Sequence, residues 1–516
     1  MQPEIYSLKI IKMTEKVQVL RDKASVRWLA LVLLAGAMLF AYIFMDILSP
    51  LKDILQSTRG WDSSAFGRYA GSETFLNVFL FFLIFAGIIL DKMGVRFTAI
   101  LAGSIMVLGA LINWFAVSDG FAGTGLETFF TNHFNLPDAA WNITPWYKGM
   151  PASAKVSAIG FMIFGCGSEM AGITVSRGIV KWFKGKEMAL AMGTEMAIAR
   201  VGVAIVMLGS PAIAHILPIS VSRPVAVSTL LLCIGLASFI VYFFLDKKLD
   251  AQTGEAEEKD DPFRVKDIGT ILSSKVFWLV ALLCVLYYSA IFPFQKYATN
   301  MLQCTLEMSA SQASLIFFVF PLGAAAITPF LGSFLDHKGK GATMLIMGAV
   351  LMIVCHLTFA FILPATQSKI IAYLAIILLG ISFSLVPAAL WPSVPKLVDS
   401  KVIGSAYALI FWIQNIGLYA FPMIIGSVLE SANKHNVDVQ SAKQLIASNM
   451  ATGKDTSNIL VPYNYTVPMV IFAGLGVLAL FFAFWLKALD KKKGYGLELP
   501  NIQKVEAPVE ESVKAE

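Results

Sequence analysis

The chain has 516 residues, of which 57% are hydrophobic and only 14% charged, and its formal net charge is +6. A soluble chain carries about a quarter charged residues, so the composition excludes an ordinary water-solvated protein and points to solvation by lipid. The positive charge is modest and flanks apolar runs instead of forming a patch, which excludes nucleic acid as a partner.

About 20 apolar residues cross a bilayer core as a helix. Twelve such segments lie near 28–49, 72–90, 96–117, 155–179, 188–213, 225–245, 276–299, 311–335, 343–363, 369–391, 403–428 and 467–487. They read as helices because backbone groups in hydrocarbon must be satisfied within each span, and no short alternating strands are present. The first run starts near Arg27 and is too long for a cleavable signal, so it is expected to be the first transmembrane helix. Residues 1–26 are polar and form an N-terminal segment, residues 27–245 a first six-helix bundle, 246–275 a linker that has lost hydrophobicity, and 276–490 a second bundle. A short surface helix is expected around Phe263 to Leu272, and the tail 491–516 is expected to be disordered.

Basic residues recur at 9–27, at Lys92 with Arg96, at 181–186 and 247–275, at Lys338 with Lys340, at Lys396 with Lys401, and at 487–493. Counted through twelve spans, all fall on one side. The positive-inside rule therefore predicts that both termini are cytoplasmic, and an inner (plasma) membrane is expected. The opposite loops, 118–154 and 431–464, are longer, and each ends near a glycosylation sequon, at Asn142 and at Asn464. The five cysteines are scattered without metal or disulfide spacing and read as packing residues.

The most informative pattern is a repeat. Gly87, Asp91 and Gly94 in GIILDKMGVR recur 245 residues later as Gly332, Asp336 and Gly339 in GSFLDHKGKG. The offset is close to half the chain, so two related halves are expected, an architecture that encloses a central site in secondary transporters. The fold class that follows is an all-α membrane protein of twelve transmembrane helices in two pseudo-symmetric six-helix bundles.

These loops resemble the signature G-x-x-x-D-[RK]-x-G-[RK]-[RK] of the major facilitator superfamily. Gly87, Asp91, Lys92, Gly94 and Arg96 match it, Val95 replaces one basic residue, and His337 weakens the second copy. KWFKGKEMALAMG at 181–193 is similar to that family's loop between helices four and five, and the likeness runs from residue 28 to about 490. Within the family, ALWPSV at 389–394, GSAYAL at 404–409, IQNIGL at 413–418, Asp46 followed by Pro50, and Ala199 to Gly202 resemble the lysosomal dipeptide-transporter branch. The resemblance implies small peptides moved by facilitated diffusion, with an acidic and a basic position binding the two peptide ends.

The residues support the same reading. A charge at mid-span costs roughly 2.5–3.5 kcal/mol on insertion scales, so it needs a partner, a cavity or a ligand. Glu169 on helix four and Arg200 on helix five fall at similar depth, and Arg can grip a carboxylate bidentately while Glu accepts from an ammonium. The bland alternative is that the two pair with each other. Asp46 is read as a cavity-lining group or a solvated helix end, Glu195 as part of a gate, and Arg177 as snorkelling to the surface. Tyr288 is a candidate for a side-chain pocket, with aromatic packing its alternative. Trp412, Gln414 and Asn415 sit mid-span in helix eleven, and one of the two amides is expected to face the cavity. Lys296 is expected at the membrane surface. The two glycine-rich loops, Gly87, Asp91, Lys92, Gly94 and Arg96 with Gly332, Asp336 and Gly339, are expected to latch an outward-facing state, Asp91 accepting from a helix N-terminus.

The expected ligand is a zwitterionic small peptide, the expected surroundings a lipid bilayer, and a monomer with no cofactor or metal is anticipated. A proton-coupled carrier of small organic anions is the alternative, with Arg200 for the anion and Glu169 for the proton. No phosphate-cradling loop, HExxH, metal cluster or nucleophile elbow is present to suggest an enzyme.

Overall fold

The structure, a computed structural model, describes residues 19–139, 141–253, 265–398 and 403–500. Among these, eleven helices are long and apolar enough to cross a membrane. One of them, Phe82–Val117, is two helices joined at Gly94, whose φ of 76° and ψ of 170° only glycine adopts cheaply. Residues before Gly94 complete a second span begun by Ser63–Ser72 and Phe75–Phe79, and residues after it form the third. The described chain therefore makes twelve crossings. Span 1 is Ala24–Met45, span 4 Ala152–Trp182, span 5 Met188–Ala214 and span 6 Ser222–Thr253. Span 7 is Lys275–Leu306, span 8 Ala310–Lys338, span 9 starts at Gly341–Leu357, span 10 is Lys369–Leu397, span 11 Ile403–Ala432 and span 12 Thr466–Lys493.

The second span differs most from expectation, since it begins at residue 63 and not at 72. Its first turns, SSAFGRYAGS, are too polar for a hydropathy window yet are wholly buried. They are buried because they pack against span 11 of the other half, while span 5 packs against span 8. Apolar side chains such as Leu230, Phe330 and Phe481 remain exposed on the outside of the bundles, as lipid-facing surface requires.

Gly67 and Gly71 show what the seam between the halves demands. A Cβ on either would collide with a backbone carbonyl of span 11, at Pro422 and Tyr419 respectively. Small residues four apart let two helices approach closely in a membrane.

The start of span 1, the end of span 12 and the described residues between spans 6 and 7 lie on one face, here called the terminal face, and the opposite side is the far face. The linker contains a helix at Val265–Leu272. Loop helices Gly125–Asn132 and Val437–Ala451 lie on the far face. There Asn142 is buried and its amide donates to the carbonyls of Pro137 and Trp146, so this sequon is not available for modification. The tail departs from its expected disorder. Span 12 continues to Lys493, and residues 494–500 turn back through Gly494 and Gly496 onto the second glycine-rich loop. Lys340 N and Gly341 N donate to the carbonyls of Glu498 (3.1 Å) and Leu497 (3.0 Å). The Glu498 carboxylate accepts from Thr343 N at 2.8 Å. Residues 1–18 and 501–516 lie outside the described part.

Gly71→Leu is expected to cost about 1–3 kcal/mol or more, since it overpacks a backbone contact. Gly474→Ala on span 12, where the added carbon meets nothing within 4 Å, should leave stability unchanged or slightly raised. Thermal unfolding of the purified protein checks both.

Candidate functional site

The halves are bolted together at the far face. Span 1 ends at Met45, and the next residue, Asp46, is 1% exposed. Its Oδ1 accepts from Lys296 Nζ at 2.9 Å and from Ser49 Oγ at 2.9 Å, and its Oδ2 from Gln295 Nε2 at 2.6 Å. Lys296 also donates to the Met45 carbonyl at 2.8 Å and lies 5.6 Å above the Phe161 ring. The expectation of Lys296 at the membrane surface is corrected, because span 7 runs on to Leu306 and leaves Lys296 well inside the helix. Asp46, expected to line the cavity or meet water, is bound to the opposite half and is not free to hold a ligand in this conformation.

Further bonds extend the seal. Lys52 Nζ donates to Asn300 Oδ1 at 3.1 Å, Gln303 Nε2 to Asp53 Oδ2 at 2.8 Å, and Ser63 N to Glu430 Oε1 at 2.8 Å. In the loop before span 2, Asp62 caps the helix by accepting from Ala65 N at 2.7 Å. Burial raises its carboxyl above the usual range, and Glu430 nearby adds to the rise.

At mid-depth, two charged side chains of the first half each meet the second half. Glu169 on span 4 is half-buried and sits beside the Asn415 amide of span 11. Asn415 is thus the amide that crosses between halves, whereas Gln414 Oε1 accepts from Cys284 Sγ at 3.3 Å on span 7. On span 5, the half-buried Arg200 guanidinium lies 4.5 Å from the centre of the Phe383 ring on span 10. Tyr42 and Tyr288 are its polar neighbours. The Tyr288 hydroxyl accepts from Trp391 Nε1 at 3.0 Å, and its ring stacks on Phe292 at 5.4 Å. Trp412 is held differently from a ligand group, with Nε1 donating to Val78 O at 2.9 Å and its ring stacked on Phe81 at 5.2 Å.

Among the described residues neither Glu169 nor Arg200 makes an ion pair, so the two charges do not neutralise each other in this conformation. Sequence reasoning overlooked Glu73, Tyr42, Phe383 and Trp391. Glu73 falls at the very start of the second segment as hydropathy bounds it, near 72–90, and so is not marked as a charge inside a span. The only signal for it was the glycine-rich run GRYAGSE.

On the terminal face, the described ion pairs join elements of one half. Asp91 Oδ1 accepts from Arg177 Nη1 at 2.7 Å, so Asp91 is held by a side chain and not by a helix N-terminus, and Arg177 does not snorkel. Arg96 pairs with Asp250 at 2.7 Å, and Lys181 with Asp246 at 2.7 Å. Lys92 is exposed and Gly87 faces open space, as does Gly332. Gly339 repeats the positive φ of Gly94 and is packed against residues 498–500.

With this geometry in place, the comparisons are direct. The family model described as Major Facilitator Superfamily matches residues 34–422. The chain belongs to the major facilitator superfamily. Members of known structure share the fold over most of its length. A bacterial homologue of the human lysosomal transporter Spinster, inward-facing and occupied, superposes with a TM-score of 0.63 at 15% identity, covering 90% of this chain and 97% of that one. The nucleoside transporter NupG gives 0.60 at 14% identity over 89% and 99%. Among curated relatives, the lysosomal dipeptide transporter MFSD1 of Danio rerio is 27% identical over 411 residues, 76% of this chain and 78% of the relative. The Homo sapiens protein of that name is 30% identical over 292 residues, 53% of this chain and 59% of the relative. This facilitator-family chain is therefore a multi-pass membrane transporter.

Removing one partner of a buried ion pair leaves an uncompensated charge, at a cost of about 3–5 kcal/mol. Lys296→Met is expected to lose that much stability, and the double variant Asp46→Asn, Lys296→Met should recover most of it. A double-mutant cycle on thermal unfolding measures the difference.

Proposed function

We propose that this transporter carries small zwitterionic peptides, dipeptides foremost, by alternating access. The observation that carries the proposal is that Glu169 and Arg200, on neighbouring spans and each half-buried, are not ion-paired among the described residues. Unpaired charges in a membrane interior are expensive, so they are best understood as groups kept for a ligand. The charged ends of an extended dipeptide stand about 6–7 Å apart. A ligand of that shape brings its ammonium to Glu169 and Asn415, and its carboxylate to Arg200. The aromatic wall of Tyr288, Phe292, Phe383 and Trp391 then receives apolar side chains with little sequence preference. Two relatives named as dipeptide transporters support the same substrate class.

In the rocking motion, the Asp46–Lys296 bond closes the far face while ligand exchanges with the terminal face. The loops at Asp91 and Asp336 then serve the opposite closure, when the terminal ends of the halves meet. With positive loops inside, the terminal face is cytoplasmic in this reading. The working unit in this reading is a monomer.

A thermal-shift series tests the site. A ligand at about 100 times its Kd stabilises by about 2.7 kcal/mol. Free dipeptides should stabilise the protein, while N-acetyl dipeptides and dipeptide amides should fail. Glu169→Gln and Arg200→Lys should each weaken dipeptide affinity about tenfold or more, as loss of a charge-assisted bond implies. If simple carboxylates and N-acetyl dipeptides stabilise equally well, the peptide reading is wrong and the organic-anion carrier takes its place.

A further inference from the structure

The cleft holds more acid than a zwitterionic ligand can use. Tyr42, on span 1, has Glu195, Arg200, Glu169 and Glu73 as its charged neighbours. Lys296 is committed to Asp46. Among the described residues, three glutamates therefore neighbour one cation that makes no ion pair, Arg200, and a zwitterion adds nothing to that balance.

Glu73 is the acid without a task. It sits at the interruption between Ser63–Ser72 and Phe75–Phe79, in the far-face third of the broken second span. Interrupted helices in transporters mark binding positions. Span 4 contacts it at Gly165, where an added Cβ would lie 3.2 Å from Glu73 Cγ, and Glu169 follows one turn further along the same face. The groups facing Glu73 are Asp46 from span 1, Glu169 from span 4 and Lys296 from span 7, with Tyr42 and Tyr69 beside it. Among the described residues Glu73 makes no hydrogen bond or ion pair through its side chain. Asn77, one turn on in the same span, is 2% exposed, and neither atom of its amide has a partner. An orphaned buried amide is uncommon in folded proteins and marks functional ground. Glu195 differs, since it lies two turns from the start of span 5 and within reach of water at the terminal face.

Resting on the dipeptide reading, we propose that Glu73 fixes the total charge of the cargo. A net-neutral dipeptide binds together with one proton on the Glu73 carboxylate, and a dipeptide with one extra positive charge binds with Glu73 ionised. The proton comes from water on the loading side, resides on a Glu73 oxygen while the cleft is closed, and returns to water on the other side. Neutral dipeptides thus move with a proton and cationic ones without, and the occupied cleft carries the same net charge in both cases.

Titration calorimetry on the full-length protein, with alanyl-alanine and lysyl-alanine as probes, tests this. Between about pH 5.5 and about pH 6.7 the peptide termini keep their charges almost fully, so any pH dependence belongs to the protein. Wild-type affinity for alanyl-alanine is expected to rise as pH falls, by up to about tenfold per unit, with about one proton taken up per peptide in buffers of differing ionisation heat. Lysyl-alanine should bind with no proton uptake and little pH dependence. Glu73→Gln should bind alanyl-alanine tightly at every pH and lysyl-alanine about tenfold more weakly. Alanyl-alanine binding with no proton uptake, or with pH dependence retained in Glu73→Gln, overturns the assignment to Glu73 while leaving the dipeptide site standing. The proton count on the wild type decides the matter even if Glu73→Gln does not fold. Failure of either dipeptide to bind the wild type at any pH overturns the dipeptide reading and this assignment with it.

Discussion

The ion pair between Asp46 and Lys296 sets the conformation in which everything else is seen. Taking two charges out of water is costly, and the cost is recovered only where geometry and additional hydrogen bonds are good. Here Asp46 also accepts from Gln295 and Ser49, and Lys296 also reaches the Met45 carbonyl. The partners belong to opposite halves, so the compensation exists only while the halves meet at the far face. That contact, with the Lys52–Asn300 and Gln303–Asp53 bonds beside it, joins the halves on the far-face side of Glu169 and Arg200.

The two halves handle their terminal ends by related means with different residues. Gly94 and Gly339 both take positive φ, at 76° and 74°, so the duplicated loops share a backbone requirement. In the first half the carboxylates come from span 6, where Asp246 and Asp250 receive Lys181 and Arg96. In the second half Asp490 on span 12 accepts from Leu497 N, and Glu498 reaches Thr343 from the turned-back tail. Lys396 at the end of span 10 donates to Gly496 O at 3.1 Å. The tail thus supplies a carboxylate that the first half carries on a helix. A carrier whose halves rock as rigid bodies needs such bracing, because the loops must move with their own bundle.

The cleft combines chemistry that neither half holds alone. Glu169 meets Asn415 from the other half, and Arg200 lies over Phe383 from the other half. Both Glu169 and Arg200 were visible in sequence, since a charge inside a long apolar run is conspicuous. Glu73 was not, because its run is interrupted and polar, and hydropathy treats such residues as the end of a span. Lys296 was misplaced for a similar reason. Its helix continues through polar residues, Gln295, Asn300 and Gln303, that are buried against the opposite half and so do not mark an end.

Twelve membrane helices and the repeat of the glycine-rich loops were legible in the sequence from local composition and spacing, because lipid imposes the same demand on every span whatever its neighbours do, and the motifs supplied the resemblance to the facilitator family. Which charges are neutralised and which stand free was decided only by the tertiary structure. Pairing depends on which helices meet across the seam, and residues such as Asp46 and Lys296, 250 positions apart, carry no mark of that meeting in their own surroundings.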